Sequence, residues 1–409
     1  MTHRLFLQTT SLLAAIFCSS ALLAQPKVGD VFPAWTEGYL DIHHINTGKG
    51  ECTFMMLPDG TTMLVDAGAT SSPKPRVTDP KPNADRTPGE WISRYILRML
   101  QKQAEKKINY VLVTHFHGDH IGDLSPGMKT SKAGYVLSGI TEVGEQIAFD
   151  KLVDRAWPDY DYPQKLGVAN YIQFVRWHVD NKGVRAEKFR IGAHDQFSLV
   201  YQPEKYPNFE IRNIASNGEI WTGVGNNTRH HFPPIESLSS NQYPNENMCS
   251  NAFRLSYGKF DYFNGGDIVH FPPCEWQEIE TAVGKVAGPV DVCLAPHHAN
   301  FDATGLSFIQ AVRPRVWIIQ VWGPAQPAGK VLFEMFWNRS YPGPRDIFST
   351  NLMYETKIVV GENANRMKST QGHIVIRVNP DGNDYMIYIL DDSEESFKIK
   401  AIHGPYICE

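Results

Sequence analysis

From Tyr39 the sequence YLDIHHI sets apolar against polar residues in near alternation, the pattern of a half-buried strand. The runs TFMML and TTMLV then flank PDG, a hairpin signal. In RTPGEWISRYILRMLQKQ the apolar spacing lengthens to three and four. This predicts a helix with Thr87 as its N-cap and Pro88 just inside. INYVLVT predicts a short buried strand, GYVLSGI another, and VGEQIAFDKLVDR a helix.

Farther along, FEIRNIAS, NAFRLSYGKFDYFNGGD and VDVCLAPHH predict strands of a second β-layer. LSFIQAVRPRVWIIQVW predicts a helix running into a strand, and HIVIRVNPDGNDYMIYILDD a hairpin turning at NPDG. There is no repeat of short fixed period. A looser duplication is visible, in which a hairpin and a helix lead to a strand end rich in potential ligands in each half. One domain over 25–409 is the simplest organisation. Residues 150–185, which hold the aromatic-rich WPDYDYPQKLGVANYIQFVRW, are expected to form a lid or packing insert. Trp157, Tyr160 and Tyr162 are candidates for a pocket border, and 326–409 carries the closing strands and hairpin.

Composition narrows the picture. The 409 residues are 42% hydrophobic and 20% charged, as in globular proteins, and the formal net charge is −5. No run of Lys and Arg stands out, so nucleic acid is a disfavoured partner and a small molecule fits the charge better. Residues 1–24 read as an export signal, with a charged MTHR followed by LLAAIFCSSALLA. That predicts a secreted or periplasmic protein with no lasting membrane span. Five scattered cysteines beyond it, with no CxxC pair, allow one or two disulfides.

Chemistry concentrates in THFHGDH, residues 114–120, at the end of INYVLV. In an extended segment His115 and His117 point the same way and can share one metal. Asp119 and His120 face another direction and can take a second. Imidazole with carboxylate suits zinc, or else manganese or iron. One loop cannot close two sites. Asp267, behind Gly265 and Gly266, can bridge two cations, and His297 or His298 ends another strand.

The set LVDAG, THFHGDH, NGGD and APHH, in this order, resembles the metallo-β-lactamase fold superfamily of metal-dependent hydrolases. The nearest likeness is to the branch with the extracellular metallo-hydrolase domain of bacterial DNA-uptake (competence) proteins, over roughly residues 38–325. The resemblance implies an α/β fold, a four-layer αββα sandwich of two mixed sheets with helices outside. It implies His115 and His117 on the first metal. Asp119, His120 and His297, favoured over His298, would hold the second, with Asp267 bridging and Asp66 orienting a ligand. Asn247 stands where the superfamily usually has a third histidine for the first metal, and His230 and His231 are the nearest substitutes.

The implied function is that of an exported di-metal hydrolase, zinc being the first choice. Two ions about 3.5–4 Å apart make hydroxide from a shared water near neutral pH. Attack on a phosphoester or phosphodiester is favoured, with Asp119 orienting the nucleophile and His231 or a metal-bound water protonating the leaving group. The NTGKG loop, through its amides or Lys49, is a candidate for meeting an anionic substrate. The alternatives are hydrolysis of an amide, lactone or thioester, or a non-catalytic metal-binding module of the same fold.

Overall fold

The strand predicted at YLDIHHI forms as β1 (Leu40–His44), but all five residues are buried, Asp41 and both histidines included. The cause is that both faces of its sheet are covered. The protein is described by a computed structural model over residues 26–73, 76–270 and 275–409, so the expected export signal lies outside the described residues.

The chain continues with β2 (Thr53–Met56), β3 (Thr62–Val65), β4 (Ile108–Leu112), β5 (Phe149–Asp154) and β6 (Arg185–Lys188). A second sheet follows with β7 (Phe209–Ser216), β8 (Glu219–Trp221), β9 (Thr228–His230), β10 (Ala252–Tyr257), β11 (Phe260–Asn264), β12 (Val292–Leu294), β13 (Val316–Ile319) and β14 (Asp346–Ser349). The chain then returns to the first sheet with β15 (His373–Val378), β16 (Asp384–Leu390) and β17 (Ile399–Ile407). The strand orders are β17-β16-β15-β1-β2-β3-β4-β5-β6 and β14-β13-β12-β11-β10-β7-β8-β9. Both sheets are mixed: β2 and β3 pair antiparallel, whereas β3 to β6 and β11 to β14 run parallel.

Between the sheets lies one apolar layer, where Leu40, Ile42 and Leu112 meet Phe253, Tyr262 and Ile318. Outside the first sheet, α1 (Pro88–Met99), α3 (Ile140–Gln146) and α4 (Ala169–Lys182) bury Ile92, Ile96, Val143 and Phe174. The single turn α2 (Gly118–Ile121) precedes α3 in the chain. Outside the second sheet, α5 (Glu280–Ala287), α6 (Leu306–Val312) and α7 (Gly329–Phe336) bury Val283, Phe308 and Leu332. The short helices α8 (Tyr354–Val360) and α9 (Glu362–Arg366) complete that face. The layers are therefore helix, sheet, sheet, helix, the expected sandwich.

Thr87 caps α1 in a capping box with Glu90, as the sequence predicts. GYVLSGI does not form a strand. Tyr135 turns into the first core, and Asn170 fixes Val136 through its amide and carbonyl, so the backbone is satisfied without a sheet neighbour. VGEQIAFDKLVDR divides, with α3 ending at Gln146 and β5 beginning at Phe149. The stretch 150–185 is consequently built into the sandwich: it opens within β5, passes through α4, whose Tyr171 and Phe174 are core residues, and ends at Arg185, the start of β6. Among the described residues Cys52, Cys249, Cys293 and Cys408 are free and buried, so no disulfide forms between them. No helix among the described residues is long and apolar enough to cross a membrane.

Candidate metal centre

The site lies where strand ends of both sheets meet. At the end of β3, Asp66 adopts φ 57° and accepts hydrogen bonds from the Thr114 amide (2.8 Å) and hydroxyl (2.6 Å). This fixes the second residue after β4 and starts the loop that carries His115 to His120. His117 is the N-cap of α2, so Asp119 and His120 lie within one helical turn and leave the direction shared by His115 and His117. Gly118 is needed for space: a Cβ there would lie 1.7 Å from Asp123 Oδ1.

The second sheet supplies the rest. Behind β11, Gly266 takes φ 52° and packs so closely that a Cβ would stand 2.8 Å from Thr114 Cβ. This brings Asp267 against the first loop. Behind β12, His297, His298 and Ala299 all have positive φ (47°, 56° and 57°). The left-handed turn sends the second imidazole inward and leaves the first at the rim. His298 is buried, whereas the His297 side chain is 16% exposed.

Asp267 Oδ2 is the centre of the arrangement. It lies 3.2 Å from His120 Nε2, 3.6 Å from His298 Nε2, 3.7 Å from His115 Nε2 and 3.8 Å from His297 Nε2. Neither oxygen of this buried carboxylate has a hydrogen-bond partner, and His120 Nε2 and Glu51 Oε1 are likewise buried without one. Buried polar atoms are rarely left so, and a charged group costs most. Two groups of donor atoms converge there. One is His115, His117 and Asp267; the other is Glu51, His120, Asp267 and His298. Asp119 Oδ2 adjoins the second, 3.1 Å from His298 Nε2 and 3.8 Å from His120 Nε2. Imidazole nitrogens converging on carboxylate oxygens, with Asp267, His120 Nε2 and Glu51 Oε1 buried and unpartnered among them, are a donor set suited to a pair of divalent cations, and the residues fit such a pair.

The electrostatics agree. Burial alone would raise the Asp267 carboxyl, but His120, His298, His297 and His115 hold it well below the usual carboxylate range. Burial alone would lower His120, yet Asp267, Asp119 and Asp66 lift it well above the ordinary imidazole value. His298 is carried against burial to about 9 by Asp267 and Asp119. Burial, with the charge of His120, pushes His115 well down. The pocket therefore gathers positive charge around its carboxylates even when only protons can supply it.

Residues 47–141 match the model of the Metallo-beta-lactamase superfamily, and this stretch carries Glu51, Asp66 and the whole 114–120 loop. The chain is a metal-dependent hydrolase of the metallo-β-lactamase fold. No curated protein matches it. Solved structures that resemble it include a candidate metal-dependent hydrolase of Parabacteroides distasonis, at 13% identity and a TM-score of 0.37, covering 80% of this chain and 99% of that one. The short form of human tRNase Z is another, at 11% identity and a TM-score of 0.32, covering 68% and 91%. Likeness this remote says nothing of substrate.

Within the hydrolase the ligand imidazoles are held from behind. Asp66 Oδ2 accepts from His120 Nδ1 at 2.8 Å, and the Gln320 carbonyl accepts from His298 Nδ1 at 2.9 Å. Each bond turns Nε2 toward the cluster; that of His120 has no partner, and that of His298 has the Trp322 indole N–H at 3.2 Å. The loop backbone is clamped too: Phe116 N–H donates to Glu246 Oε1 (2.9 Å), and Glu246 is paired with buried Arg155 through contacts of 2.8 and 2.5 Å.

Several sequence expectations change. His298, not His297, joins His120 and Asp119, because the left-handed turn reverses which imidazole points inward. His297 instead has Asp302 Oδ1 at 2.8 Å from Nδ1 and the Asn247 amide at 3.3 Å from Nε2. Asn247 thus reaches the site, while His231 places Nε2 3.1 Å from the Glu278 carbonyl and His230 ends β9, exposed. In the NTGKG loop the Gly48 amide is spent on Asn46 Oδ1, and just past the loop the Glu51 amide is spent on the Asp119 carbonyl. Tyr160 is buried on Asp154 (2.8 Å), packing rather than bordering a pocket. Sequence reasoning missed Glu51, Glu246 and Arg155. For Glu51 a signal existed: a lone acid between Gly50 and the apolar run of β2.

Proposed function

We propose that the protein is an exported two-metal hydrolase that cleaves a phosphoester or phosphodiester, with zinc the first candidate at both positions. The observation that carries the two-metal reading is Asp267, a buried carboxylate without hydrogen bonds, facing four imidazoles within 3.8 Å. When bound, two divalent ions would supply Lewis acidity and a water of lowered pKa. His115, His117 and Asp267 would hold one; Asp119, His120, Asp267 and His298 the other.

The chain's own groups do the remaining work. Asp119, only partly buried, accepts a hydrogen bond from the nucleophilic water and aligns it. His297 stands at the rim with Asp302 behind its Nδ1. Asp302 Oδ1, 2.8 Å from that nitrogen, favours the protonated imidazole, which makes His297 the group placed to protonate the leaving oxygen. This assigns to His297 the role expected of His231. The exposed side of His117 marks the side from which a substrate enters. Preference for phosphorus over an amide, lactone or thioester carbonyl rests on the sequence resemblance and on the suitability of paired cations for in-line displacement between two oxygens. The negative net charge disfavours nucleic acid as the substrate, and export rests on residues 1–24.

Hydrolysis of bis-p-nitrophenyl phosphate by the purified protein, measured before and after chelation, tests the reading. Turnover that disappears with the chelator and returns with zinc is expected. Metal-loaded protein that cleaves lactones or thioesters but no phosphodiester would transfer the proposal to carbonyl substrates.

A further inference from the structure

We infer that Glu51 is a direct ligand of the second cation. No ligand is expected from this first hairpin loop, and the inference rests on the two-metal reading above. Three observations support it. Glu51 is 1% exposed, and its Oε1 is buried without a hydrogen-bond partner. One of its oxygens lies within 4.8 Å of donor atoms on His120, Asp267 and His298, all on the second cluster. Its backbone is pinned on both sides, the amide donating to the Asp119 carbonyl of the ligand loop (2.8 Å) and the carbonyl accepting from the Gly68 amide of the turn after β3 (2.8 Å).

The nearest basic group does not satisfy the carboxylate. His298 Nδ1 is 3.6 Å from Glu51 Oε2, but its proton goes to the Gln320 carbonyl. An anion buried without a partner is costly, and a cation among these donors removes the cost. The close approach is enforced by glycine, since a Cβ on Gly68 would stand 1.8 Å from the Asp119 carbonyl oxygen. The hairpin and the ligand loop are therefore locked as one unit, and Glu51 cannot withdraw.

With Glu51 the second position has three carboxylates and two imidazoles; the first has one shared carboxylate and two histidines. Oxygen-rich sets suit harder cations such as manganese, so loss of Glu51 should weaken manganese more than zinc.

The test uses full-length wild-type protein and Glu51→Gln, stripped of metal and titrated with manganese alone. Manganese per chain and the electron paramagnetic resonance spectrum are recorded. Wild type should take up two ions with an exchange-coupled spectrum. Glu51→Gln should take up one, with an uncoupled six-line signal, and bind the second at least tenfold more weakly. Its zinc affinity should fall by a smaller factor. The unfolding midpoint of metal-free Glu51→Gln should not drop, whereas the rise on adding manganese should shrink. A merely structural glutamate would lower the metal-free midpoint and leave the stoichiometry alone. Should Glu51→Gln fail to fold, Glu51→Asp, which keeps the charge but withdraws it by one methylene, should show the same weakened second site. Two ions bound with wild-type affinity in either variant would overturn the inference. A wild-type chain that binds no metal would overturn the two-metal reading itself.

Discussion

The two donor clusters share Asp267 and differ in almost everything else. The first, His115 and His117, comes from a single loop and is partly open, since His117 is exposed. The second draws Glu51 from the first hairpin, His120 from the helical turn and His298 from the far sheet, all of them buried, and only Asp119 beside them is partly open. It is also the braced one, with Asp66 behind His120 and the Gln320 carbonyl behind His298. An open pair of imidazoles can exchange its ion and admit substrate. A buried set with supporting hydrogen bonds holds its ion and fixes the geometry. The difference suggests that the second position is filled first and that catalysis is lost first at the other.

The most damaging way to test this difference is to remove the shared group. Asp267→Asn should cost both ions and all measurable hydrolysis, read by metal content and turnover together. His297→Gln separates chemistry from binding: about 10²–10⁴-fold should disappear from kcat for a substrate with a poor leaving group, while both metals stay bound. Unchanged kcat would return the proton donor to solvent. Asp66→Asn should act mainly on the second cluster, through His120, weakening that metal affinity about 10–100-fold and the other by less, as measured by titration calorimetry.

The effect that touches the site least concerns histidines in neither cluster. His43 and His373 are buried and pushed down to about 4, burial being the main cause. Between pH 6.5 and 4 the unfolded chain therefore binds protons that the folded chain does not. Stability from these groups is complete above pH 6.5 and is lost as the pH falls, by about 1.4 kcal/mol per imidazole for each pH unit. Denaturant midpoints measured across that window should fall with pH, and less steeply in His43→Phe.

Much of this arrangement is legible in the sequence. Hairpins at PDG and NPDG, the helix behind Thr87 and the loop His115–His120 are local, so residue type and spacing specify them. What was not legible depends on partners distant in sequence. GYVLSGI has a strand's composition, but Tyr135 is drawn into the helix-side core and Asn170 satisfies its backbone. His297 and His298 are adjacent and chemically identical, and only the left-handed turn decides which faces inward. Glu51 reads as a loop acid until the second sheet closes over it. His231 lies near the expected donor position in sequence, but β9 is the edge of the second sheet and carries it to Glu278.

The central claim is that two cations bind, one at each cluster. Calorimetric titration of the metal-free wild-type chain with zinc tests it most directly. The account predicts two equivalents with distinct affinities, the tighter surviving in His115→Ala. One equivalent in the wild type, or two unchanged in His115→Ala, would contradict it.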